Sequence, residues 1–506
     1  MSGRTHASCV VGIEASPVIV EVHVGKGLPG LDLVGLPEAA VRESRVRVKA
    51  ALSACGYELP PRHMVLNLAP ADLRKRGASF DLAIAVALLS GSGACAPNLL
   101  EETLLCGELS LSGELRAVRG VLAQLATARA RGLTRAIVPH ANAAEAALEG
   151  GIDVRVATRL EEVVAFLGGV GHLPTAESFA TATHARPDAA GPDLSEVRGQ
   201  PSGRRALEIA AAGHHHILFV GPPGAGKTML ARRLPGILPP PERDEAVALL
   251  RIASAAGLEP RLGVRPFRAP HHTASTAAMV GGGDPIRPGE VTLAHGGVLF
   301  LDELPEHQRP VIESLRTILE SGVVVVVRAK ERAVMPARPL VIAAMNPCPC
   351  GWAGDPRRVC TCPPARVASY RARVSGPMLD RFDLQVALPP VELASVCATP
   401  TGETSEAIRA RVVAARARAK AAGDREFGPL DALVGRVAPE ARRLLERAGE
   451  RLGLSMRGYV RALRVARTIS HLEAADRVEV PHVAEALQLR LSAGTYAGLP
   501  TATRAP

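Results

Sequence analysis

Aromatic residues are scarce in this chain of 506 residues, at 3%, and there is a single tryptophan, Trp352. The hydrophobic fraction is nonetheless 47%, which excludes wholesale disorder. Uninterrupted apolar runs approaching ~20 residues are missing, which argues against a membrane span. The longest uncharged stretch, Leu82 to Leu100, is broken by Ser, Gly, Pro and Asn. The first ten residues, MSGRTHASCV, lack an apolar signal core, so a cytoplasmic location is expected. The nine cysteines are an odd number, and together with the missing signal core this argues against a disulfide framework. Lysine is also rare: of 60 basic residues, 54 are Arg.

The length suggests two to four domains. Net charge is +10 and unevenly spread. Residues 1–170 balance 17 basic against 17 acidic residues, whereas 171–506 carry 43 against 33. A positive excess permits a polyanionic partner without proving one. In 1–170, the alternation in 18–24 predicts a strand, and 39–55, 80–90 and 115–132 read as helices. Residues 171–192 are aperiodic and rich in Ala, Thr, Pro and Gly, as expected of a linker. A second α/β unit spans 193–392, and 393–506 is an Arg-rich helical region.

The strongest motif is HILFVGPPGAGKTMLARRL, 216–234. An apolar strand leads into the loop Gly221, Pro222, Pro223, Gly224, Ala225, Gly226, Lys227, Thr228, and a helix follows. That is the context a G-x-x-x-x-G-K-[ST] phosphate loop requires. Its glycines let backbone N–H groups face phosphates. Lys227 would neutralise the β/γ-phosphates, and Thr228 would ligate Mg²⁺. Well downstream, GGVLFLDE ends a buried strand in Asp302, a Mg²⁺ holder, and Glu303, which would orient the attacking water. Asn346 ends another apolar strand and Arg381 lies at a helix-strand junction. Taken alone, these two read better as a turn-opening Asn and a solvated Arg.

In order, GPPGAGKT, VLFLDE, AAMNP and MLDRFD, together with RPFRAPHHTASTAAMVGGG at 265–283, resemble the YifB/ComM family of magnesium-chelatase-like AAA+ ATPases. The resemblance covers essentially the whole chain. It implies ATP and Mg²⁺ as ligands, with Val197 to Gln200 near the adenine. It further implies Asn346 as first sensor and Arg381 as an arginine finger acting on a neighbouring subunit. Arg457, with Arg464 as second choice, would contact the γ-phosphate from the Arg-rich helix 454–469. The two lie seven positions apart and so share a helix face.

The resemblance also implies a fold: a Lon-protease-like (ribosomal S5 domain 2-like) domain at 1–170, an AAA+ core at 193–392 with inserts, and a helical lid at 393–506. Lon-type proteases use a Ser–Lys dyad. Ser79 falls near the nucleophile position, but Leu122 stands where the lysine is expected. A serine without a base is not activated, so peptidase activity is not expected.

Two inserts are expected, about 263–294 and 321–339. The second, with five consecutive valines and a Lys330–Glu331 tip, reads as a β-hairpin. In related ring motors such hairpins line a pore. There Arg328, Lys330 and Arg332 could touch a phosphate backbone without reading sequence, although an edge hairpin with solvated charges accounts for them equally well. Cys348, Cys350, Cys360 and Cys362 form C-x-C, nine residues, C-x-C, a set suited to tetrahedral Zn²⁺, with reduced loop thiols as the alternative. His214, His215 and His216 enter a strand and point in alternating directions, so they cannot share one metal. His271 and His272 lie in the family signature without an assignable role.

The resemblance implies a homo-hexameric, Mg²⁺-dependent ATPase moving on branched or single-stranded DNA, as in branch migration during natural transformation. One alternative is a chelatase I-like ATPase that remodels a protein partner. The other, a Lon-like protease, is opposed by the missing dyad lysine.

Overall fold

A computed structural model describes residues 2–93, 99–182, 191–328, 331–391, 402–424 and 433–490. The N-terminal unit is built on a seven-stranded mixed sheet. Its strand order is Gly30–Val34, His63–Ala69, Glu14–Val24, Ser2–Val11, Thr103–Leu105, Arg135–Pro139 and Asp153–Ala157. Pairing is antiparallel around Glu14–Val24 and parallel elsewhere.

Helices Ala39–Ala54 and Asp81–Ser92 form where the apolar spacing predicts them. The second is buried on nearly every face, which explains its lack of polar positions. It lies so close to the sheet that a Cβ at Gly3 would sit 2.3 Å from the Ala87 carbonyl oxygen.

The expected helix at 115–132 is shorter. Leu115–Arg116 pairs as a strand with Glu108–Leu109, and the helix runs Val121–Ala130. Gly120, at φ 71, makes the break, and a Cβ there would meet Val10 at 2.9 Å. The expected linker also begins later than its composition suggests. Leu173 and Ala176 are buried, and the Val156 amide donates to Pro174 O at 2.9 Å. Residues 183–190 lie outside the described residues.

The second unit holds a five-stranded, all-parallel sheet. Its order is Phe267–Arg268, Val298–Leu301, Leu340–Met345, Ile217–Val220 and Leu384–Ala387. The inner strands are uniformly buried, as expected of a parallel sheet covered on both faces. Helices Ser405–Ala421, Pro439–Leu452, Met456–Leu472 and Val480–Gln488 follow. Ala462, Leu463 and Ile469 share one hydrophobic cluster with Phe219, Phe300 and Ile342, so the helical region is packed onto the sheet.

Both inserts are present. Gly281–Gly282 pairs with Arg287–Pro288, and Val323–Arg328 pairs antiparallel with Glu331–Pro336. Val324, Val326, Ala333 and Met335 are buried, while Val325, Val327 and Val334 are exposed, the alternation of a hairpin with one packed face. Lys330, expected at its tip, lies outside the described residues.

The inserts also meet the N-terminal unit. The Gly12 amide donates to Ile286 O at 3.2 Å. Arg76, with a side chain 7% exposed, pairs with Glu38 at 2.7 Å, with Glu331 at 2.9 Å, and with Asp284.

Candidate nucleotide site

The site forms at the carboxyl ends of the parallel strands, the edge where open α/β sheets bind ligands. Strand Ile217–Val220 delivers the loop 221–226, and a helix starts at Lys227. Gly224 and Gly226 have φ of 79 and 86, a left-handed region that glycine enters without steric cost. Gly221 has no room for a side chain, because a Cβ would lie 2.6 Å from Leu388 O. The loop is braced from behind by Gln200, whose Nε2 donates to Ala225 O at 3.1 Å and Pro389 O at 2.6 Å. Val197, expected near the adenine, is buried in the core beside this brace.

Lys227 Nζ donates to Gly221 O at 2.7 Å, Pro222 O at 3.0 Å and Asn346 Oδ1 at 3.0 Å. Burial lowers its pKa to about 8 against the opposing pull of Asp302 and Glu303. This lysine is thus folded onto its own loop, where an anion would restore full charge. Thr228 Oγ1 donates to Asp302 Oδ2 at 3.1 Å, and Asp302 Oδ1 accepts from the Glu303 amide at 3.0 Å. Phosphate loop, both acids and the strand-end asparagine therefore converge. A hydroxyl paired with a carboxylate beside a buried lysine is a donor set that fits a magnesium-bound triphosphate.

Arg381, Arg457 and Arg464 are not brought to this loop. Leu384 pairs with Ile217, the first residue of the loop's strand, so Arg381 sits at the amino end of the sheet. It is 4% exposed and bonded to Glu320, and Arg457 Nη2 lies 3.8 Å from the same carboxylate. Burial lowers the Arg381 pKa. Arg464 lines a cavity of about 250 Å³ with His215, Asp383 and Arg467, also at that end. A γ-phosphate contact by Arg457 or Arg464 within one chain is therefore corrected: the sheet separates them from their own loop. The packing of the helical region onto the sheet decides this, and sequence spacing could not reveal it.

The cysteines do converge. The Cys348, Cys350, Cys360 and Cys362 sulfurs all lie within 4.8 Å of one another. Cys348 is 3.3 Å from Cys350 and 3.6 Å from Cys360. Burial raises the Cys350 thiol, but the backbone N–H groups of Trp352 and Thr361, together with the Cys348 and Cys362 thiols, pull the pKa down to about 6. The three consecutive histidines separate as expected. His215 bonds Thr468 at 2.8 Å and faces Asp383, whereas His216 Nδ1 accepts from the Val341 amide at 3.2 Å. Burial lowers His214 to about 3 and His216 to about 4.

Three site features escaped sequence reasoning. His272 Nδ1 lies 3.1 Å from Glu303 Oε2. Glu320 gathers the two arginines, and Gly351 abuts Pro223. Only the histidine carried a signal, its place in the 265–283 signature. In the N-terminal unit Leu122 is a buried core residue at 2% exposure.

These features define a magnesium-chelatase-like ATPase, and comparison with known proteins agrees. The family profile "Magnesium chelatase, subunit ChlI" matches residues 193–396. "Subunit ChlI of Mg-chelatase" matches 20–142, and the ChlI C-terminal profile matches 402–490. The chain is 44% identical over 501 residues to a YifB protein of Salmonella typhimurium, covering 96% of each chain. It is 42% identical over 501 residues to YifB of Escherichia coli, again at 96% of each. With the competence protein ComM of Haemophilus influenzae it shares 40% over 494 residues, covering 95% of this chain and 96% of ComM. The chain belongs to the YifB/ComM family of magnesium-chelatase-like AAA+ proteins. No helix among the described residues is long and apolar enough to cross a membrane.

Proposed function

We propose that this chain hydrolyses ATP with Mg²⁺ as a cytoplasmic homo-hexameric ring that moves on branched or single-stranded DNA. The observation that carries the reading is the convergence of Lys227 on Asn346 and of Thr228 on Asp302 at one strand edge. Lys227 binds phosphate oxygens, and the backbone of 221–226 cradles them. Thr228 and Asp302 would hold the Mg²⁺, which would neutralise phosphate charge there. Glu303 orients the water and Asn346 senses the terminal phosphate.

Arg381 completes the site from a neighbouring subunit, and Arg457 travels with it because both converge on Glu320. This division of labour supports a ring: each chain carries the finger at the edge opposite its own loop. The four cysteines hold a structural Zn²⁺. In a tetrahedron with Zn–S bonds of about 2.3 Å the sulfurs stand about 3.8 Å apart, close to the spacing here. The N-terminal unit is a Lon-like fold without peptidase activity.

ComM, a competence protein by name, favours DNA as the partner. The ChlI profiles favour a second reading, an ATPase that remodels a protein. ATP hydrolysis measured with and without forked or four-way DNA, in wild type and Glu303→Gln, separates them. DNA stimulation with ATP-dependent strand movement supports the motor. An active ATPase that DNA neither binds nor stimulates leaves the protein-remodelling reading in its place.

A further inference from the structure

We propose that the N-terminal unit binds a small carboxylate with an apolar body, in a cavity between its sheet and helix Val121–Ala130. The proposal is independent of the ATPase reading. It follows from how strand Ser2–Val11 divides its side chains, since successive residues of a strand point to opposite faces. Gly3, Thr5, Ala7 and Cys9 turn toward helix Asp81–Ser92, where Thr5 Oγ1 donates to Ala83 O at 3.0 Å. Arg4, His6 and Ser8 therefore turn to the other face. There helix Val121–Ala130 covers Ser8, whose hydroxyl donates to Gln124 Oε1 at 2.9 Å, and then ends. The sheet beyond the helix end, toward Arg4 and His6, is left as a cavity of about 370 Å³.

The floor of this cavity is apolar. His6 pairs across the ladders with Ile19 and Leu104, and Leu133 closes one side. The mouth is cationic. Arg4 stands on the strand, Arg131 stands at the end of the helix, and both are exposed. Neither guanidinium makes a hydrogen bond or ion pair among the described residues. Among those residues no carboxylate lines the cavity. An apolar space with a few placed polar groups is the common form of a small-molecule site. A guanidinium matches a carboxylate in bidentate geometry.

The surroundings leave these cations to a ligand. Glu21 lies opposite Arg4 in the ladder, but its Oε2 accepts from Asn67 Nδ2 at 3.1 Å. The carbonyls of Thr127, Ala128 and Arg129 accept from the amides of Arg131, Leu133 and Gly132 at 3.1, 3.1 and 3.0 Å. That blunts the repulsion a helix end would offer an anion. Burial, then Arg4, lower the His6 pKa against the pull of Glu101, so the imidazole is largely uncharged at neutral pH. Two guanidiniums with Glu21 and Glu101 close by favour a monoanion over a phosphate dianion, which selects the carboxylate.

Isothermal titration calorimetry on the full chain tests this with octanoate, acetate and octanol as probes. Octanoate is expected to bind once per chain. Acetate lacks the apolar body and octanol lacks the charge, so each should bind at least about tenfold more weakly. Arg4→Ala and Arg131→Ala should each weaken octanoate by about tenfold, the loss expected of a charged hydrogen bond. Arg131→Lys should retain more affinity than Arg131→Ala, and this comparison carries the test where an alanine variant also lowers the thermal midpoint. Arg62→Ala, at the far end of strand His63–Ala69, should bind as wild type does. Absence of octanoate binding overturns the site. So does binding that survives loss of both Arg4 and Arg131, or that octanol matches. A loss in Arg62→Ala equal to that in Arg131→Ala overturns it too, by reducing the effect to general attraction.

Discussion

Gly351, inside the cysteine loop, abuts Pro223 of the phosphate loop so closely that a Cβ would lie 2.6 Å from the proline Cδ. It has φ 86, which favours glycine independently of the contact. The four-cysteine knot is thus a wall of the nucleotide site. Gly351→Ala is expected to cost about 1–3 kcal/mol of strain, partly expressed as displacement of Pro223. The variant should bind ATP several-fold more weakly while keeping its zinc, as read by nucleotide titration and metal analysis on the same sample.

The only tryptophan of the sequence, Trp352, is the neighbour of that glycine, and the Arg358 guanidinium lies 4.4 Å from its ring centroid. Strong chelators should therefore shift Trp352 emission and release one Zn²⁺ per chain, and Cys348→Ser should abolish both signals. An unchanged spectrum from a protein with no bound metal would remove the zinc assignment.

Lys227 should make nucleotide binding pH-dependent. Burial holds its pKa near 8 in the free site, below the ordinary lysine value, and phosphate would raise it again. Binding takes up a proton only where the free lysine is neutral. ATP affinity should be flat below pH 8 and fall by up to about tenfold per unit above it. By the same linkage the free protein gains stability as pH rises from about 8 toward the unfolded lysine value, since the folded state then binds fewer protons. Calorimetric titration in buffers of different ionisation enthalpy checks the proton count, and Lys227→Arg should flatten the profile.

Arg76 ties the N-terminal unit to both inserts through Asp284 and Glu331. The Glu331 side chain is only 11% exposed, and burial raises its pKa. Removing the guanidinium strands this carboxylate, a loss of about 3–5 kcal/mol by analogy with other broken buried pairs. Arg76→Ala should open the contact between the units. Limited proteolysis within 323–336 should accelerate, while Arg76→Ala combined with Glu331→Gln should be milder than the single change.

Much of the molecule was legible because its signals are local. The phosphate loop needs glycines at set positions, and the strand feeding it needs an apolar run. The four cysteines lie within one short stretch, so spacing alone suggested their meeting. The 115–132 helix was misread because Gly120 makes a sharp turn that periodicity does not register, and the Leu115–Arg116 strand exists only through its partner. The start of the linker was misread because Leu173 and Ala176 gain their place by packing, whatever their composition suggests.

The chain's sequence by itself determined the class of chemistry: Lys227, Thr228, Asp302, Glu303 and Asn346 sit where local strand and loop rules put them. Only the tertiary structure decided what each chain can do alone. Parallel strand order places Arg381 and Arg457 at the far edge of the sheet from their own loop. It likewise sets His272 on the outer side of Glu303. Both outcomes depend on which strands lie side by side, a long-range choice made by burial of the whole sheet, and no local window of residues encodes it.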